Sequence, residues 1–164
     1  MIWRQMTAAD LDAVLAAAAV IHPGFPEDRA VFAERLELWP EGCRVLEQAG
    51  VLAGYAVTHP WRYGQPPKLD TLLGALPEAP DTYYFHDIAL LPHARGRGAS
   101  RVVVADLAGL AERGDFATIS LVAVNASRPI WMAQGFSVAT DATPDLGSYG
   151  GGACFMMRRL RDTI

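Results

Sequence analysis

The sequence predicts a single α/β domain organised around a mixed sheet, on three observations. A chain of 164 residues, 51% hydrophobic and 20% charged, suits one compact core. Short apolar runs of strand length alternate with stretches of helical spacing. Near the middle, a strand, a loop rich in glycine and arginine, a helix and a second strand follow one another as a βαβ-like unit.

Ile2 to Met6 reads as a first strand, and Thr7 starts a helix with Asp10 three positions on, an Asp variant of the capping box. That helix runs to about Ile21. Its apolar stretch "LDAVLAAAAVI" is far shorter than the ~20 residues a membrane-spanning helix needs, so it reads as a packed helix. "HPGFPEDR", from His22 to Arg29, breaks it before "AVFAERLELW" resumes helical spacing to Trp39. "CRVLEQAG" and "VLAGYAVTHP" meet at Ala49 and Gly50 and predict an antiparallel hairpin. Trp61 to Asp81, with Pro66, Pro67, Pro77 and Pro80, reads as a long loop with one turn of helix expected at "LDTLLGAL".

Thr82 to Leu91 reads as a mostly buried strand. Ser100 to Arg113 places Val103, Leu107, Leu110 and Ala111 on one helical face, and Gly114 follows as the C-cap. Thr118 to Val124 is a second buried strand. A short helix through Trp131 and two closing strands, near Phe136 to Ala139 and Ala153 to Arg159, complete the chain.

Charge narrows the function classes. A net charge of -4 gives no overall attraction for nucleic acid or an anionic membrane, so a basic site has to be local. Cys43 and Cys154 form neither a metal-ligand spacing nor a disulfide framework and read as buried thiols. "MIWRQMTAAD" lacks the basic region and apolar core of a secretory signal, which makes the cytoplasm the expected compartment.

The local basic site is "LPHARGRGASRV", Leu91 to Val102. At a helix start several backbone N–H groups lack partners and the dipole is positive, which suits phosphate. Glycines let the backbone approach closely, and Arg95, Arg97 and Arg101 add charge in a geometry that fits phosphate. The plain alternative is a tight connection with solvated arginines. Two nucleotide-loop readings fail. A P-loop needs Lys and then Ser or Thr after its last glycine, where Gly98 is followed by Ala99 and Ser100. A dinucleotide fingerprint needs a third glycine that "GRGASR" lacks, and an acidic residue where "TISLVAV" is followed by Asn125.

Arg95-Gly96-Arg97-Gly98-Ala99-Ser100 resembles the (Gln or Arg)-x-x-Gly-x-(Gly or Ala) signature of the GNAT superfamily of N-acetyltransferases, departing at Ser100. A second segment, "VNASRPIWMAQGF" from Val124 to Phe136, resembles the family's strand end at Asn, short helix with an aromatic, and Gly-Phe opening the next strand. The two lie in the family's order and separation, and the resemblance covers nearly the whole chain.

The resemblance implies a central, mostly antiparallel sheet whose two central parallel strands splay, flanked by about four helices, with acetyl-CoA entering the gap. Carried over, the backbone of Ile88, Ala89 and Leu90 holds pantetheine, Arg95, Gly96, Arg97, Gly98, Ala99 and Ser100 cradle the pyrophosphate, and Asn125 reaches the coenzyme. Some relatives use a Glu or His on the strand before the loop as base, at positions that correspond to Tyr84 and His86. Strand alternation puts both on one face and Asp87 on the other. Histidine side chains ordinarily titrate near neutrality, so this residue type at position 86 suits a base; the alternative for His86 is a satisfied core histidine. Many relatives carry a tyrosine acid where this chain has Trp131, so Trp131 packs on the coenzyme or is a core aromatic, and either CoA leaves as the thiolate or another group such as Tyr149 protonates it.

The implied activity is acetyl transfer from acetyl-CoA to a primary amine in a ternary complex, with no metal. A non-catalytic acyl-CoA-binding module is the alternative. The acceptor side is expected from "HPGFPED", Trp61 to Pro67 and "DLGSYGGG". Glu27, Asp28 and Asp145 are either recognition groups for a cationic amine or solvated loop acids. No nucleic-acid or membrane partner is expected, and a homodimer is one assembly the resemblance allows.

Overall fold

The computed structural model describes residues 1–124 and 126–161. Seven strands form one sheet: β1 (Ile2–Gln5), β2 (Cys43–Gln48), β3 (Val51–Trp61), β4 (Thr82–Leu90), β5 (Thr118–Ala123), β6 (Ser137–Val138) and β7 (Cys154–Arg159). Their spatial order is β1-β2-β3-β4-β5-β7-β6, and only the β4–β5 pair is parallel. Helices α1 (Leu11–Ile21) and α2 (Arg29–Leu38) pack on one face. Helix α3 (Ala99–Arg113) and the short α4 (Arg128–Met132) pack on the other.

Local chemistry accounts for most boundaries. The Asp10 carboxylate accepts the Thr7 N–H at 2.8 Å, as the capping pattern requires, over a 3-10 turn at Ala8–Asp10 that leads into α1. Asp28 caps α2 by accepting the Ala30 N–H at 3.0 Å. The β2–β3 hairpin turns on Ala49 and Gly50, whose φ values of 51° and 78° are those of the primed turn that matches strand twist. Gly114 is the C-cap of α3, but the left-handed residue is the next one, Asp115, at φ 65°. Phe116 N–H then bonds Ala111 O and Asp115 N–H bonds Glu112 O, which is the Schellman arrangement.

Two expectations are corrected here. Residues 69–76 form no helical turn. Their donors go to side chains: Glu34 takes the N–H groups of Leu73 and Gly74 at 2.6 and 2.9 Å, and Glu27 takes that of Asp70 at 3.0 Å. A helix would need those groups for its own carbonyls. Cys154 is half-buried rather than buried, while Cys43 is fully enclosed.

The core has two halves, one on each face. Tyr83, Phe85, Leu121, Phe136 and Met156 meet α3 through Val103, Val104, Leu107 and Ala111. Val45, Tyr55, Val57 and Ala89 meet α1 and α2 through Leu11, Val14, Ala17 and Phe32. Among the described residues, no helix is long and apolar enough to cross a membrane.

Candidate active site

The parallel pairing of β4 and β5 is short. Tyr83, Tyr84 and Phe85 pair with Ile119, Ser120 and Leu121, and no pairing follows, although β4 continues to Leu90 and β5 to Ala123. The two strands diverge, so the β5-facing edge of β4 from His86 to Leu90 has no strand partner. A cavity of about 280 Å³ opens at the divergence, with Phe85, His86, Asp87 and Ile88 on one side and Leu121, Val122 and Val124 on the other.

A bulge sets which side chains enter it. Val57 pairs with Asp87 and Thr58 with Phe85, which leaves His86 as the extra residue of β4. Alternation is interrupted there. Phe85 and Ile88 face the α3 side, whereas His86 and Asp87 both turn toward the α1–α2 side. The expectation that Asp87 points away from His86 is therefore corrected, because it assumed an unbroken period of two.

Two imidazole–carboxylate pairs line the cavity. His86 Nε2 lies 2.8 Å from Glu27 Oε1, and Glu27 Oε2 accepts the Asp70 N–H at 3.0 Å. The side chains of His86 and Glu27 are only 1% and 6% exposed, so Glu27 is no solvated loop acid. Burial opposes ionisation of Glu27, yet the charge and hydrogen bond of His86 outweigh it and hold the carboxyl below its usual range. The second pair is His22 Nε2 with Asp87 Oδ1 at 3.0 Å, and Asp87 Oδ2 accepts the Tyr55 hydroxyl. Burial lowers the His22 pKa and the hydrogen bond and charge of Asp87 raise it, with a net upward shift.

The aromatic residues divide by depth. Tyr149 is buried at the cavity wall, and its hydroxyl donates to Pro67 O. Burial pushes its pKa up to about 12. Tyr84 lies behind it, with its hydroxyl 3.2 Å from that of Tyr149, and does not line the cavity. Trp131 lines the cavity and is also anchored in the core, edge-on to Phe136 at 5.4 Å between centroids and 6.3 Å from Phe85. Trp131 is therefore a core aromatic that also borders the cavity.

Of the other loop acids, Asp28 caps α2 and Asp145 accepts the Gly147 N–H at 2.9 Å, so both serve local turns. His22, Asp87 and Tyr55 come from the α1–α2 loop, β4 and β3, and no sequence spacing links them.

At the C-terminal end of β4 the chain turns into α3. Gly96 and Gly98 have φ of 76° and 80°, the left-handed region that favours glycine, and a Cβ added to either meets nothing within 4 Å. Open space therefore faces the loop. Val102 N–H makes the first intrahelical bond, to Gly98 O, leaving the preceding N–H groups of α3 at its start. Arg95 and Arg97 are exposed, and Arg95 Nε lies 3.0 Å from Leu90 O. Ala99 is buried, its carbonyl held by Trp3 Nε1 at 2.8 Å. Ile88 packs toward α3, Ala89 toward α1 and α2, and Leu90 beside Ala94 and Ala99. An anionic group with an extended arm fits this combination of open loop, helix start and unpaired strand edge. Asn125, expected to reach the coenzyme, lies outside the described residues.

Comparison with known proteins agrees with this architecture. No curated protein matches the chain in sequence. Among solved structures, Ard1 from Thermoplasma volcanium aligns over 98% of both chains at 15% identity and a TM-score of 0.74. The GNAT-like decarboxylase GphF, in complex with isobutyryl-CoA, aligns over 98% of this chain and 100% of its own, at 16% identity and TM-score 0.78. The ribosomal-protein-S18-alanine N-acetyltransferase from Escherichia coli aligns over 99% and 95%, at 20% identity and TM-score 0.69. The sequence model of the acetyltransferase (GNAT) family matches residues 10–136, most of the chain, and the protein belongs to that family.

Proposed function

We propose that the protein transfers an acetyl group from acetyl-CoA to a primary amine within a ternary complex. The observation that carries the reading is the divergence of β4 from β5 after Phe85, with a cavity at the split and an open glycine loop at the strand's far end. Family membership supports acyl transfer, and a like fold holds an acyl-CoA in GphF.

In this reading Arg95, Gly96, Arg97, Gly98, Ala99 and Ser100 hold the pyrophosphate, and the backbone of Ile88, Ala89 and Leu90 holds the pantetheine arm, with Asn125 and Trp131 beside it. The coenzyme supplies an activated acetyl thioester. A C–N bond forms as the C–S bond breaks, the nitrogen loses a proton, and the sulfur leaves with the electron pair and takes a proton. The chain's own residues manage those protons. His86 and Glu27, hydrogen-bonded at 2.8 Å, act together as the base. With its Nε2 on Glu27, His86 keeps Nδ1 as the basic nitrogen. Tyr84 acts through Tyr149, which it positions at the cavity wall.

Calorimetric titration with acetyl-CoA tests the coenzyme site, and release of free thiol across an amine panel tests transfer. Absence of binding at millimolar acetyl-CoA refutes the reading. Binding without thiol release favours a non-catalytic acyl-CoA-binding module.

A further inference from the structure

We infer that the acceptor is a small primary amine with an apolar body and no carboxylate. The inference rests on the acetyltransferase reading above. It comes from what the cavity wall offers a second ligand.

The wall beyond the thioester end is built from Leu15, Ala18, Phe25, Pro26, Phe32 and Leu69, all apolar. No arginine or lysine lines the cavity among the described residues. Among the described lining residues, the side chains able to carry positive charge are the imidazoles of His22 and His86, and each already lies on a carboxylate, at 3.0 and 2.8 Å. Arg35 does not line the cavity: it lies fully buried behind the wall, with Nη1 on Glu34 and Thr71 O at 3.0 and 2.9 Å, Nε and Nη2 making no hydrogen bond, and its charge acting on Glu27. Arg95 belongs to the glycine loop, with Nε on Leu90 O.

A ligand carboxylate entering here would be desolvated against Glu27 and Asp87 with no arginine or lysine on the cavity wall to meet it, which burial makes costly. An ammonium group meets the opposite situation, since Glu27 and Asp87 attract it before it gives up its proton. Apolar walls then hold the rest of the molecule.

Size points the same way. A cavity of about 280 Å³ is at the lower limit of small-molecule sites, and it must hold the acyl end of the donor too. Its outer wall is fastened: Leu69 N–H bonds Ser148 Oγ at 3.0 Å, Asp70 N–H bonds Glu27, and the Tyr149 hydroxyl bonds Pro67 O. A compact amine suits such a space better than the end of a polypeptide.

The test compares 2-phenylethylamine, phenylalanine, phenylalanine methyl ester and a peptide beginning with phenylalanine, each with acetyl-CoA, by rate of free-thiol release. We expect phenylalanine to show at least about 100-fold lower kcat/KM than phenylethylamine, with the uncharged ester recovering most of the loss. Ala19→Arg adds a cation at an exposed position on the rim, and it should narrow the ratio of amine to amino acid. Equal or better use of phenylalanine or the peptide overturns the inference, whatever Ala19→Arg does. Acetyl-CoA binding with none of these amines acetylated also overturns it, while leaving the coenzyme site standing. Failure to bind acetyl-CoA removes the acetyltransferase reading and the inference with it.

Discussion

Gly98 opens α3 at φ 80° with free space where a side chain would go, so replacement by alanine isolates backbone strain from steric clash. Holding an L-residue in the left-handed region costs about 1–2 kcal/mol. The strain has two places to appear. If alanine keeps the native conformation, unfolding free energy falls by that amount, and Tm by about 2–4 °C per kcal/mol for a domain of this size. If the loop relaxes to negative φ instead, apparent stability is preserved. The coenzyme must then restore the conformation on binding, and Kd for acetyl-CoA rises by about five- to thirty-fold. The two costs together should be near 1–2 kcal/mol, read by calorimetric unfolding of the free protein and by titration with acetyl-CoA. A Gly98→Ala protein with both Tm and Kd unchanged would refute the requirement for positive φ and, with it, the reason for glycine at the cradle.

Other outcomes are expected. Glu27→Gln should lower turnover by at least about 100-fold while leaving the Kd for acetyl-CoA within about twofold, and unchanged turnover rejects the Glu27–His86 base. His59 is 1% exposed, and burial drops its pKa to about 3. The folded state therefore disfavours its protonation, and the protein should lose up to about 1.4 kcal/mol per pH unit as pH falls below 6.5. His59→Gln should flatten that acid limb in unfolding titrations, and an unaltered slope contradicts the assignment. For His22 the sign is reversed. Its folded pKa is raised, so the contribution of its pairing with Asp87 is complete below about pH 6.5 and is lost as pH rises through the folded value. An Asp87→Asn protein should differ most from the parent at acid pH, and a constant difference from pH 5.5 to 9 counts against it.

Much of the fold was legible because its signals are local. The hairpin at Ala49–Gly50, the capping residues of the first helix and the glycine loop each combine chemistry within a few residues. The bulge was not legible. It arises from how Val57 and Thr58 pair across to β4, and nothing within "TYYFHDIALL" marks His86 as the unpaired residue. The missed pairings follow from the same cause. His22 is 65 positions from Asp87 and Glu27 is 59 from His86, so only the packing of the α1–α2 loop against β4 unites them. The residues after Leu69 carry helical composition, but Glu34 and Glu27 compete successfully for their N–H groups. Sequence spacing holds no record of that competition.

The extra residue in β4 also makes the length of that strand part of the site. Upstream of His86, even-numbered positions such as Tyr84 face α1 and α2, and downstream the odd-numbered Ala89 does so. Removing His86 would place Phe85 next to Asp87 and restore unbroken alternation along β4. The sheet's hydrogen bonds with β3 would survive, because neighbouring strands register backbone and not side chains. Both halves would keep their faces, since Phe85 and Asp87 already pair with the consecutive residues Thr58 and Val57, and the cavity would lose only the imidazole of His86. The bulge thus adds one side chain to the cavity wall without changing what the rest of the strand presents to either face.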